Sequence, residues 1–233
     1  MMIFVTHTHT AVSPPKQARS RKAWARVLDA GVEILETSSL DDFTISAVCD
    51  RAGVSSAAIY SRVASKDALF LAVYEYALAE MASERMVLEG PGEVFDELST
   101  EELICLAVTT VADLFLSRPG LVRSIIWLSA SHCEVRARGS RWMTELGEVV
   151  TTLLAPRVDE FQCEEPHRTL DTCYRTIWSS VAMHVAYGAN FAAERPLTDE
   201  DFKADLRDVA LRYLLCRPST CRAAITGQQN RDG

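Results

Sequence analysis

A chain of 233 residues, 48% apolar and 24% charged, can bury a substantial core and is too rich in apolar side chains for global disorder. Its net charge of −8, taken alone, argues against a nucleic-acid partner. The charge is nevertheless divided unevenly: residues 1–66 hold eight Lys/Arg against six Asp/Glu (+2), and the remainder holds 16 against 26 (−10).

Residues 1–19, with Pro14-Pro15 and Ser/Thr/His-rich stretches, read as a flexible arm. Lys16 and Arg19 fall within it, Arg21 and Lys22 follow it, and the first 22 residues contain no acid. From Ser20 the pattern turns helical, with Trp24, Val27, Leu28, Gly31, Ile34 and Leu35 at three- and four-residue steps, and it stops near Ser38-Ser39. Thr44 suits the N-cap of a short helix striped by Ile45, Val48 and Cys49, and Ala52-Gly53 ends it in a turn that calls for left-handed backbone. Ser55 then caps a helix from Ser56 to about Val63, and Ser65 caps a long one carrying Leu69, Phe70, Val73, Tyr74, Ala77, Leu78 and Met81.

Gly90-Pro91-Gly92 is the clearest breaker in the chain. Beyond it, Ser99-Thr-Glu-Glu102 forms a capping box that opens a helix to about Ser117, and Arg118-Pro119-Gly120 closes it. Further helices are expected over about 121–131, 135–154 and 166–188, and a last one from Thr198. With no alternating strand, hairpin signal or repeat, the fold class is all-α.

Two short helices joined at Gly53 form the helix-turn-helix layout, in which the second helix enters the DNA major groove. Small side chains at Ser56, Ala57 and Ala58 allow close approach to base edges. Val54, Ala47 and Ile59 are placed to lock the two helices together. Thr44, Tyr60, Arg62 and Lys66 put hydroxyl and basic groups where phosphates would lie.

These residues, with Arg21–Glu36 ahead of them, then Phe43-Thr44-Ile45, Ala52-Gly53-Val54-Ser55, Ile59-Tyr60 and Ser65-Lys66-Asp67-Ala68-Leu69, resemble the tetracycline-repressor (TetR) family of bacterial transcriptional regulators. The resemblance spans about residues 20–70. It implies that Thr44, Tyr60 and Lys66 touch phosphate and that Ser56, Ala57 and Ser61 meet bases, with Ser55 at the same helix start. The family usually has Tyr or His, then Phe, where this chain has Arg62-Val63. Arg62 could replace the phosphate contact or reach a guanine edge, and Val63 removes apolar volume. The implied domains are an arm (1–19), a three-helix DNA-binding domain (20–66), a larger helical ligand-binding and dimerisation domain (67–220) and a flexible tail (221–233).

The apolar run Leu103–Leu116 is too short for a membrane span and is broken by Asp113, and the N-terminus lacks the features of a signal peptide. Seven cysteines without a Cys-x-x-Cys pair read as reduced thiols, so a cytoplasmic protein with no membrane partner is expected. Glu164-Glu-Pro-His167 has one Glu-x-x-His spacing but reads more simply as a solvated helix start. His132-Cys133 has no evident partner, and His7 and His9 belong to the arm. No catalytic motif, metal site or cofactor is expected.

For an effector pocket the large residues of the middle helices are the candidates: Phe115, Trp127, Trp142, Met143, Trp178 and Met183, with Arg123 or His184 as polar anchors. The same residues also suit plain core. The stripes Leu170, Tyr174, Ile177, Val181, His184, Gly188 and Phe202, Leu206, Val209, Tyr213 on the last two helices would form a four-helix interface with a second copy, or else face the protomer's own core. The expected protein is a homodimeric repressor released from a pseudo-palindromic DNA operator by a small, largely apolar molecule. The alternative is a helical binder or enzyme that keeps the architecture but not DNA binding.

Overall fold

The computed structural model describes residues 14–90, 92–191 and 194–216. Among these residues there are ten α-helices, three short 3-10 turns and no strand. His7, His9 and the expected tail at 221–233 lie outside the described residues. The chain divides into two compact units, one ending at Tyr74 and the other beginning at Glu75. The boundary expected at 66/67 coincides instead with the start of a helix, α4, which runs Lys66–Arg85.

The first unit contains α1 (Pro14–Thr37), α2 (Ile45–Ala52), α3 (Ser56–Tyr60) and the first turns of α4. Helix α1 begins at Pro14 rather than near Ser20, so residues 14–19 of the expected arm are helical. The paired prolines open the helix because proline has no N–H to leave unsatisfied in a first turn and its φ is already helical. The core gathers Val27, Ile34 and Leu35 from α1, Phe43, Val48, Ile59, and Leu69, Phe70 and Val73 from α4, all buried. The Phe43 and Phe70 rings meet edge to face at 5.6 Å. Gly31 is required in mid-helix because a Cβ there would overlap the Val73 side chain.

The second unit contains α5 (Gly92–Asp96), α6 (Thr100–Leu116), α7 (Pro119–Ser129), α8 (Cys133–Leu154), α9 (Pro166–Tyr187) and α10 (Asp199–Leu215). Helix α6 packs against α8, α9 and α10, with Leu103, Ile104, Ala107, Val111, Ala112 and Leu114 buried on successive turns. The apolar run read in the sequence is therefore a core helix. Among the described residues no single helix is long and apolar enough to cross a membrane, and the apolar pair α6–α7 is bent by 82° at its junction.

The apolar stripes of the last two helices go mostly to this unit's own core. Leu170, Ile177, Val181, Phe202 and Leu206 are buried, because α9 and α10 both pack on α6. Of the residues expected at an intersubunit face, Val209 and Tyr213 are exposed, and Met183 and Tyr187 on α9 join them.

Burial also sorts the cysteines. Removal from water pushes the Cys173 thiol up to about 12, whereas Cys133 and Cys216 are exposed. Because the thiolate is the reacting species, mild alkylation near neutral pH is expected to label Cys133 and Cys216 and to spare Cys173 until the unit unfolds. Peptide mapping reads the order directly, and equal labelling of all three would contradict the packing of α9.

Candidate functional site

Each boundary of the helix-turn-helix is set by a side chain present in the sequence. Thr44 Oγ1 accepts the Ala47 amide at 3.1 Å and starts α2. Gly53, at φ 63°, ends that helix in the left-handed conformation, which a side chain would strain. Ser55 Oγ accepts from the Ala58 amide at 3.3 Å and starts α3. Helix α3 ends at Tyr60 rather than near Val63. The Ser61 hydroxyl donates to the Ala58 carbonyl at 2.8 Å, and the Arg62 amide closes back on the Ile59 carbonyl, tightening the last turn.

Ile59 is fully buried beneath this motif, while Ala47 and Val54 are half-buried at its margin. On the outside, Ser55, Ser56, Ala57, Tyr60, Ser61, Thr44 and Lys66 are all exposed. Tyr60 keeps 55% of its surface open. The stretch from Ser55 to Lys66 therefore presents hydroxyls, small side chains, Arg62 and one lysine, with no acid between Asp50 and Asp67.

Arg62 is the exception among the residues expected to face DNA. Its guanidinium Nη2 donates to Ser20 Oγ at 2.8 Å, and Cζ lies 5.2 Å from the centre of the Trp24 ring. The group expected at a phosphate or guanine edge is thus engaged on α1.

The eight residues expected to wall a pocket in the second unit differ in their surroundings. Phe115 and Trp142 are buried and meet edge to face at 5.8 Å. Met143 and Trp178 are half-buried against the same core. Arg123 Nε donates to the Val185 carbonyl at 3.0 Å, which ties α7 to α9. His184 stacks on Phe202 at 4.1 Å, with Nε2 3.4 Å from an Asp199 carboxylate oxygen. Trp127 and Met183 are exposed, at 54% and 44%, and so do not wall the interior of this unit. Both fall off the buried stripes of their helices.

A small cavity of about 20 Å³ opens elsewhere, lined by Ile104, Val108, Val150, Leu170, Cys173 and Tyr174 among others from α6, α8, α9 and α10. None of the eight expected residues lines it. Its one phenol is already committed: Tyr174 donates to the Met143 carbonyl at 2.7 Å, and burial raises its pKa strongly. A mid-helix glycine, Gly147, was the available signal for this site, since its missing Cβ is what admits the Tyr174 ring, 2.8 Å from where that Cβ would stand. The indole nitrogens of Trp142 and Trp178 are buried without a hydrogen-bond partner, two donors that such an interior rarely leaves unsatisfied. Of the other motifs weighed, His132 serves as the N-cap of α8, with Nδ1 accepting from the Val135 amide at 3.4 Å.

Comparison with known proteins gives a consistent picture. Residues 27–73 match the family model for bacterial regulatory proteins of the tetR family. No curated protein matches the chain in sequence. Among solved structures, a TetR transcription regulator from Haloarcula marismortui is similar at a TM-score of 0.65 and 16% identity, over 84% of this chain and 97% of that one. A tetR-family regulatory protein from Rhodococcus RHA1 is similar at a TM-score of 0.63 and 16% identity, over 84% of this chain and 99% of that one. The Bacillus subtilis transcriptional regulator FadR, solved in complex with stearoyl-CoA, gives a TM-score of 0.59 at 16% identity, over 82% and 97%.

Proposed function

We propose that this chain, whose residues 27–73 match the tetR family model and whose fold is similar to that of TetR regulators along most of its length, is a homodimeric, ligand-responsive transcriptional repressor working in the cytoplasm. The observation that carries the DNA-binding part is the exposed Tyr60 on a short helix whose other outward residues are small or hydroxylic. Ser56, Ala57 and Ser61 face bases, and Thr44, Tyr60 and Lys66 hold phosphate, with Ser55 at the helix start. Few of these side chains can read a base by a bidentate contact, so the shape of the DNA contributes to selectivity.

The dimer is supported by Met183, Tyr187, Val209 and Tyr213, exposed apolar residues on α9 and α10 that have no role in the monomer's core. A dimer that presents two reading helices about one DNA turn (~34–36 Å) apart selects a pseudo-palindromic operator.

The effector is a largely apolar molecule that widens the cavity between α6, α8, α9 and α10. Its apolar lining suits an acyl chain such as the one carried by the ligand of the B. subtilis protein. Such a ligand lowers DNA affinity only by as much as it prefers the unbound arrangement of the dimer.

The test of the phosphate assignments uses Tyr60→Phe and Lys66→Ala. Each is expected to weaken binding about three- to tenfold on every sequence alike, and Lys66→Ala to lower the slope of log affinity against log salt by about one. Unchanged affinity and slope in both would overturn the assignment.

A further inference from the structure

Arg62 follows α3 in the chain and is exposed as a residue, yet its guanidinium is held. Nη2 donates to the Ser20 hydroxyl at 2.8 Å and lies 3.4 Å from the Ser20 carbonyl oxygen, and the planar group sits over the Trp24 ring at 5.2 Å. Ser20 and Trp24 are one helical turn apart on α1 and so share a face. That turn of α1 is otherwise open: Arg19, Arg21, Lys22, Ala25 and Arg26 are all exposed, and Trp24 is half-buried. A guanidinium satisfies both partners at once because it is a flat fork that hydrogen-bonds at its edge while stacking on its face. An ammonium can donate a hydrogen bond or approach a ring, but it has no flat face to stack while its edge donates.

We propose that Arg62 is a positioning residue that fastens the basic first turns of α1 to the end of the reading helix. Arg19, Arg21 and Lys22 are thereby presented to the nucleic acid in fixed register with Tyr60 and Ser61. The clamp stands on the contacts within the first unit; only its consequence for affinity rests on the DNA-binding reading above. A residue that instead met phosphate directly would work through its charge, and lysine would serve there nearly as well.

The test compares Arg62→Ala, Arg62→Lys, Trp24→Leu and the Arg62→Lys/Trp24→Leu double variant in the full chain. Amide hydrogen exchange over residues 19–26, followed by mass spectrometry, is expected to run about tenfold faster in each variant, with exchange in α2 unchanged. DNA affinity is expected to fall about three- to tenfold in Arg62→Lys and in Trp24→Leu, with the double variant no weaker than the singles, because the two residues act as one unit. Wild-type exchange and affinity in Arg62→Lys would overturn the clamp. So would additive losses, with Arg62→Ala lowering the salt slope by about one, since that is the behaviour of a phosphate contact. If the unmodified protein bound no DNA selectively, the exchange experiment would still decide. Faster exchange over 19–26 would support the clamp and leave the regulator reading in error, and unchanged exchange would overturn the clamp itself.

Discussion

Ala57→Glu is expected to abolish selective DNA binding, lowering affinity about a hundredfold or more, while leaving the fold intact. Ala57 lies on α3 with its methyl group exposed, so a longer side chain meets no protein core. The substitution brings two penalties to the nucleic acid. It inserts bulk where, in the proposed complex, Ser56, Ala57 and Ala58 would keep the helix slim enough to reach base edges. It also places a carboxylate against phosphates on a surface that otherwise carries no acid between Asp50 and Asp67. Like charges juxtaposed in an interface cost several kcal/mol, whereas an exposed helical substitution changes folding stability by about 0.5 kcal/mol at most. Circular dichroism and thermal unfolding should match the unmodified protein while the DNA shift disappears. Full binding by Ala57→Glu would remove α3 from the interface.

Phe43→Ala is expected to destabilise the first unit by about 3–5 kcal/mol. The ring is completely buried, lies edge to face with Phe70 at 5.6 Å, and immediately precedes the Thr44 cap. Truncation therefore removes a large transfer term, leaves a cavity and loosens the start of α2 together. A loss of this size is a large share of the total stability of about 5–15 kcal/mol typical of a domain, so urea denaturation should show the first unit's transition shifted to markedly lower midpoint. A shift below about 1 kcal/mol would mean that the site repacks, contrary to the close packing around Phe43.

The DNA-binding unit was legible in the sequence because its boundaries are made by local chemistry. Thr44 and Ser55 each cap the helix expected of them through their own hydroxyl oxygen, a contact that spans only three residues, and Ser99 and Thr198 do the same in the second unit. Gly53 likewise reports its left-handed backbone directly. The paired prolines misled because the same residue that breaks a helix interior suits its first turn, and α1 begins on them.

The second unit was less legible for a different reason. A stripe at helical spacing says that a face is buried, not against what. Leu170, Ile177 and Val181 suited a partner subunit as well as the protomer's own core, and they are buried on α9, which packs against α6, α7 and α10 of the same chain. The more informative residues were the large apolar ones off the stripes: Trp127, Met183 and Tyr187 stay exposed because the buried face of each helix is already supplied by others. Nor could local pattern foresee that Arg62, forty-two positions from Ser20 along the chain, turns its guanidinium onto α1.

The most direct test of the central claim is selection of duplexes by the purified protein from a random-sequence pool, with the enriched sequence then titrated against salt. The account predicts a pseudo-palindrome with half-sites about one DNA turn apart, bound at least about a thousandfold tighter than random duplex and with a steep salt slope. A pool from which no sequence is enriched, bound weakly and equally throughout, would contradict it.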